Sequence, residues 1–292
     1  MRLTDPIRLS LEDADAVAPD IASIRHSSLT STPLGQLRYG AVPHAEAREW
    51  LESCSRLELQ SELRYPRIAS FERDGSGQHV TRMEHLVVRD LDLAPFKACN
   101  ALTIQGDAVR PGRVVAYAEF QYHPPQQEPA AGSVISGSQR IHASEEGFSS
   151  EEPATVLDLP VSVHRDLHEH WDRTVEAALS ARFGHMHCFE VRGIGTLAPS
   201  HLRKGIASSL LAWIFPWADA LGVPVVLAAT PAGHPFYLRH GFVEVDDDDD
   251  DDEDGKAQRR FIECDMADWG GTGVHRHVLM IRWPKHAERN TA

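Results

Sequence analysis

The spacing of apolar positions along the chain switches between two and three-to-four, and the switches mark its elements. Residues 7–9 read as a short strand. Helical spacing follows over 11–29 and 44–63, the second carrying Ala47, Trp50, Leu51 and Leu57 on one stripe. "EHLVVRD" (84–90) and "GRVVAYAEFQY" (112–122) predict two strands, and the turn-rich stretch between them suits an antiparallel pair. Residues 124–160 hold few large apolar side chains and read as an irregular insert. A helix over 163–184, closed by Gly184, leads into a glycine-bearing strand over 186–199, which implies a bulge or a close approach.

Residues 201–222 predict the most apolar helix. Ile206, Leu210, Ile214 and Leu221 share a stripe, with Leu211 and Ala218 beside it. Pro216 inside this pattern predicts a kink or a break. A strand (224–229) and a short helix follow, with Pro235 at the helix start and Gly241 past its end. Strands within 241–245, 260–269 and 274–284 close the chain. This alternation predicts an α/β (mixed α+β) fold, one mixed sheet with helices on both faces. The expected domain is single, spanning 5–284, with inserts at 124–160 and 246–258 and a tail at 285–292.

Charge alters this picture only locally. The formal charge is −14, but the run 246–254 supplies nine negatives, and removing those nine leaves −5. No Lys/Arg cluster of the size a phosphate backbone needs is present, so nucleic acid is not an expected partner. The cysteines Cys54, Cys99, Cys188 and Cys264 lie far apart and form no C-x-x-C pair, which argues against a disulfide framework or a cysteine zinc site. Seventeen histidines include the close pairs His164/His168, His185/His187 and His275/His277, yet no H-E-x-x-H occurs and no metal is expected. The N-terminus lacks the apolar core of a signal peptide. The apolar stretch 210–229 is broken by Pro216, Asp219, Gly222 and Pro224, so no membrane span is expected and the location is read as cytoplasmic.

The candidate chemistry starts at "HLRKGIASSLL" (201–211). A helix N-terminus offers unpaired N–H groups and about half a positive charge. Cations there oppose the helix dipole unless an anion joins them, and Arg203 and Lys204 precede the helix directly. Gly205 and Ala207 let an anion come close, which suits a pyrophosphate. Other phosphate motifs fail. No P-loop is present, and "GIGTLA" (193–198) runs into Pro199 instead of opening a helix.

"TLAPSHLRKGIASSLLAWI" resembles the signature segment of GNAT-type N-acetyltransferases, a strand, a proline, then [Q/R]-x-x-G-x-[G/A] and a helix. Here the signature reads Leu202-Arg203-Lys204-Gly205-Ile206-Ala207, with Leu202 where the family has Gln or Arg. "FYLRHGF" (236–242), one strand later, resembles the ending of the family's next helix. Thr230 stands where many members have Asn. The resemblance covers 186–284 well and implies a mostly antiparallel mixed sheet and transfer of acetyl from acetyl-CoA to an amine, small or a Lys or N-terminal amine.

The resemblance also implies roles. The N–H groups of Leu202, Arg203, Lys204, Gly205, Ile206, Ala207 and Ser208 would cradle the pyrophosphate. The backbone of Gly195, Thr196 and Leu197 would pair with the pantetheine arm, with an N–H near Leu197 at the oxyanion. Tyr237 would protonate the leaving thiolate, a phenol of ~10 against a thiol of ~8.5. Some arylalkylamine members use histidines as base on the strand before the signature; those positions here are Val191 and Gly193, so Glu190 is the expected base. The rival expectation is a non-catalytic acyl-CoA-binding or interaction module on the same fold. Oligomeric state is not legible. The acidic run reads either as a tolerated surface insert or as a loop that draws in cationic acceptors.

Overall fold

In the computed structural model of the chain, the described residues are 1–64, 82–94, 112–125, 157–246 and 260–285. Most of the insert expected at 124–160, and the acidic run beyond Asp246, lie outside them. The elements in order are β1 (Ile7–Arg8), α1 (Ala14–Leu29), α2 (Pro33–Tyr39), α3 (His44–Glu62), β2 (Arg82–Asp90), β3 (Arg113–His123), α4 (Arg165–Phe183), β4 (Cys188–Thr196), α5 (Ile206–Leu221), β5 (Val225–Ala229), α6 (His234–Arg239), β6 (Val243–Glu244), β7 (Phe261–Asp265) and β8 (Val274–Arg282).

One sheet joins all eight strands in the order β1-β2-β3-β4-β5-β8-β6, with β7 also on β8. Every pair is antiparallel except β4–β5. Strand alternation divides the apolar residues between the faces. Leu86, Val88, Phe120, Phe189 and Leu227 pack on one face with Leu210, Leu211 and Ile214 of α5. On the other face, Val87, Val114 and Tyr117 meet α1 and α3, while Val226, Leu279 and Ile281 meet Leu167 and Trp171 of α4.

Several expectations shift. The short helix α2 was not legible; Thr32 caps it by accepting from the Gly35 N–H at 3.0 Å. In α3 the buried face holds Ala47, Leu51, Glu52, Ser55 and Leu59, so Leu59 replaces Leu57 and two polar residues turn inward. The segment 260–269 is a strand only to Asp265 and then a 3-10 turn. Helix α5 does not break at Pro216. The missing N–H removes one ladder bond, while buried Ile206, Leu210, Leu211, Ile214 and Ala218 hold both halves to the sheet. Leu221 leaves the stripe and is exposed, because the helix ends at Gly222 in the left-handed region.

The residues flanking the acidic run have a specific place. Val245 donates its N–H to the Leu279 carbonyl at 3.1 Å, and Leu279 donates to the Arg260 carbonyl at 2.8 Å. Val245 and Arg260 thus oppose the same residue of β8. Strands β6 and β7 therefore lie end to end along the same side of β8.

Candidate active site

Strands β4 and β5 pair only at Phe189↔Val225 and Glu190↔Val226. Beyond Glu190, β4 continues to Thr196 and β5 to Ala229 without pairing, so a fork opens in the sheet. Its cause is visible on the β3 side. The β3–β4 register shifts between Glu119 and Phe120, leaving Arg192 as the extra residue of a bulge. A bulge kinks its strand and increases local twist, which parts β4 from β5.

The bulge also reverses which backbone groups face the fork. Leu197 donates its N–H to the Val115 carbonyl of β3 at 2.8 Å, so it is not the free donor that the sequence suggested. Antiparallel alternation turns Gly195 and Gly193 toward β3 as well, and turns Ile194 and Thr196 into the fork. Of the expected trio Gly195, Thr196 and Leu197, only Thr196 presents its backbone there; Ile194 was missed. Gly195 serves another end. A Cβ on it would lie 2.5 Å from Cε1 of Tyr117 and 2.9 Å from Cγ2 of Ile24, so the glycine makes room for the Tyr117 ring.

The fork ends at the turn that carries the signature. Leu202, Arg203, Lys204 and Gly205 are exposed, Ile206 is buried, and Ala207 and Ser208 are half-buried. Gly205 caps α5 at φ +77°, and the space where a Cβ would stand is open to 4 Å. Arg203 also adopts a positive φ, 60°. The first N–H groups of α5 have no partner within the helix. Two contacts missed by the sequence reading hold this turn. His201, 4 % exposed, contacts the Asp90 carboxylate through Nε2 at 3.0 Å and Ser200 Oγ through Nδ1 at 2.8 Å. Burial opposes the Asp90 charge, but the His201 contact and the Asp92 N–H together outweigh it and hold the carboxyl below its usual range. Ser208 Oγ lies 3.0 Å from Nε2 of His240 at the end of α6. Asp90 and His201 stand too far apart in sequence for any local signal to join them.

Tyr237 packs against Phe242, ring centroids 5.5 Å apart, on the α5 side of the sheet. Burial, with the Tyr117 phenol adding to it, pushes its hydroxyl up to about 12. It is a weaker acid than the ~10 of a free phenol.

The opposite face of the fork is charged. Glu190 is buried, not solvent-facing, and its Oε2 lies 2.9 Å from Nε2 of His123 at the end of β3. Its other oxygen is 3.8 Å from the exposed Arg192 guanidinium. Further along, Glu119 pairs with Arg25 at 2.5 Å, and Arg25 reaches Glu58 at 2.6 Å and Ser55 at 3.1 Å. His85 contacts Glu62 at 2.5 Å. Burial works against the charges of Glu119 and His85, but their partners win: the Glu119 carboxyl is held low and the His85 imidazole is raised.

Bulge, fork, signature turn and following helix together repeat the arrangement that the signature implied. The sheet is the mixed, mostly antiparallel one with helices on both faces that the resemblance implied. No family model and no curated protein matches the chain. Among solved structures, the PaiA N-acetyltransferase of Thermoplasma acidophilum in complex with coenzyme A is similar at 11% identity, covering 97% of this chain and 99% of that one, with a TM-score of 0.40. A putative GNAT-family acetyltransferase from Desulfovibrio desulfuricans gives 10%, 97%, 99% and 0.38. Naa20 of Chaetomium thermophilum with a bisubstrate analogue gives 11%, 97%, 87% and 0.36. These likenesses are distant and add no detail to the site.

The remaining histidine pairs have structural surroundings. His275 and His277 pack edge-on to Trp171, and Nδ1 of His168 lies 2.9 Å from the Tyr39 hydroxyl. Among the described residues, no group of three or more His, Cys, Asp or Glu is placed to hold a metal ion. None of their helices is long and apolar enough to cross a membrane.

Proposed function

We propose that the chain is an acetyl-CoA-dependent N-acetyltransferase that passes acetyl directly to an amine. The observation that carries this reading is the fork between β4 and β5, which ends at an exposed, glycine-capped helix start. An extended arm laid in the fork finds the backbone groups of Ile194 and Thr196. A pyrophosphate at the end of that arm finds the N–H groups from Gly205 to Ser208, with Arg203 and Lys204 nearby. The open space at the Cβ position of Gly205 fits this use.

In this reading Tyr237 donates a proton to the departing sulfur. Its phenol near 12 makes transfer to a thiolate of ~8.5 uphill by about 5 kcal/mol. That is affordable within the roughly 16 kcal/mol barrier of a reaction turning over at about 10 per second. The same high value keeps Tyr237 protonated, and so ready to donate, at every physiological pH.

Calorimetric titration with acetyl-CoA tests the reading. Binding to the wild type, lost in a folded Gly205→Glu variant that sets a carboxylate in the cradle, is the expected result. Equal affinity in the two proteins removes the cradle. Thiol release from acetyl-CoA over an amine panel then separates the enzyme from the acyl-CoA-binding module, which binds and releases nothing.

A further inference from the structure

The proposed reaction still lacks its base: an alkylammonium acceptor must lose a proton before its nitrogen attacks. Glu190 alone is a poor choice, because it is buried and its Oε2 is taken up by His123. We propose that His123 is the general base and that Glu190 is its positioning residue. The inference rests on the acetyltransferase reading above.

The two residues come from neighbouring strands. His123 opposes Cys188, and Gln121 opposes Glu190, so His123 and Glu190 stand diagonally on the same face. That face is the one covered by α1, α3 and α4, opposite α5 and its cradle. Glu190 is also the last β4 residue paired with β5, and so marks the closed end of the fork. The side chain of His123 is 27 % exposed against 10 % for Glu190, so the imidazole and not the carboxylate meets solvent.

The hydrogen-bond chemistry assigns the roles. An ionised carboxylate only accepts, so Nε2 of His123 carries the proton that it shares with Glu190. Nδ1 of the neutral ring is then the acceptor. The carboxylate fixes this tautomer and stabilises the imidazolium that forms, as in any carboxylate–imidazole pair. The other charged groups on this side are Arg192, which reaches Glu190, and Glu119, four residues before His123 on β3, with Arg25, Glu58, His85 and Glu62 gathered around it.

The step balances as follows. The acceptor R–NH3+ gives one proton to Nδ1 of His123, which passes it to solvent. The freed nitrogen bonds to the thioester carbon and the C–S bond breaks. Sulfur takes the Tyr237 proton, and the second nitrogen proton restores the phenol through solvent. Acetyl-CoA and the ammonium become amide, thiol and one released proton.

The test uses His123→Ala and Glu190→Gln in the full chain, with acetyl-CoA and the best acceptor of the panel. His123→Ala is expected to lower kcat about 10²-fold with acetyl-CoA affinity unchanged, and added imidazole is expected to restore part of the rate. Glu190→Gln is expected to lower kcat less than His123→Ala and to change the pH profile of kcat, since the ring loses the partner that fixes its tautomer. A wild-type kcat in folded His123→Ala, or a loss that imidazole does not relieve, overturns the assignment. Should His123→Ala fail to fold, a wild-type rate and pH profile in Glu190→Gln overturns it equally. A wild type that releases no thiol fails at the level of the reaction itself, a result distinct from any of these.

Discussion

The two sides of the fork are built from different materials. The side facing α5 is made of backbone and small or apolar residues close together in sequence, from Ile194 to Ser208, with Tyr237 one strand later. The side facing α1, α3 and α4 is made of charged side chains drawn from five elements: Arg25, Glu58, His85, Glu119 with His123, and Glu190 with Arg192. A backbone site tolerates exchange of side chains, because the donors belong to the peptide. A side-chain network does not, since each removal strands a partner. Substitutions in the network around Arg25 and Glu119 are therefore expected to act first on stability, and those at the start of α5 and at Tyr237 first on the proposed binding or rate.

The largest effect is expected at Arg25→Ala. It leaves Glu119, 14 % exposed at its side chain, without its cation. Stranding one partner of such a pair costs about 3 kcal/mol or more, read as a lower urea midpoint. A change under about 1 kcal/mol would class the network with ordinary surface pairs. The same pairing predicts acid sensitivity. Glu119 has its folded pKa depressed, so its stabilisation is present above the ordinary glutamate range and is lost as pH falls through the folded value. A melting profile below pH 5 should therefore be steeper in the wild type than in a Glu119→Gln variant.

Tyr237→Phe comes next, with kcat lower by about 10²-fold and acetyl-CoA affinity retained. An unchanged kcat assigns the ring to packing against Phe242.

Two glycines sharpen the comparison at smaller cost. Gly195→Ala drives a methyl into Tyr117 and Ile24, and is expected to destabilise by about 2 kcal/mol. Gly205→Ala meets open space and pays only for its positive φ, about 1 kcal/mol. Equal melting temperatures for the two variants contradict the steric difference between them.

The smallest effect is expected from deleting 246–260. Joining Val245 to Phe261 keeps strand alternation, because Val245 and Ile262 already share one core cluster. The melting temperature should hold or rise as the loop-closure entropy is removed. Loss of the folded state in this deletion would show that β6 and β7 cannot be joined end to end.

How far the site was legible follows the same division. Residues 202–208 and Tyr237 lie in short continuous motifs, and the resemblance of those motifs to a family signature is what singled them out. Of Gly195, Thr196 and Leu197, only Thr196 turns its backbone into the fork, and Ile194, which does so too, was not named. Period-two counting holds only along an unbroken strand, and the bulge at Arg192 reverses it. Leu59, Glu52 and Ser55 of α3 were hidden because the helix buries polar residues that have partners, Ser55 on Arg25 and Glu52 on Arg56, against its apolar stripe.

The sequence by itself determined the strand order and every helix except α2, the mixed sheet with helices on both faces, and the small-residue start of α5. Each depends on residues within a few turns of one another, where periodicity and backbone chemistry act locally. Only the tertiary structure decided the rest. The parting of β4 from β5, the pin between Asp90 and His201, and the meeting of His123 with Glu190 each need residues 36 to 111 positions apart to converge. No local rule carries that information, because sheet register and cross-strand contact are set by the packing of the whole sheet against its helices.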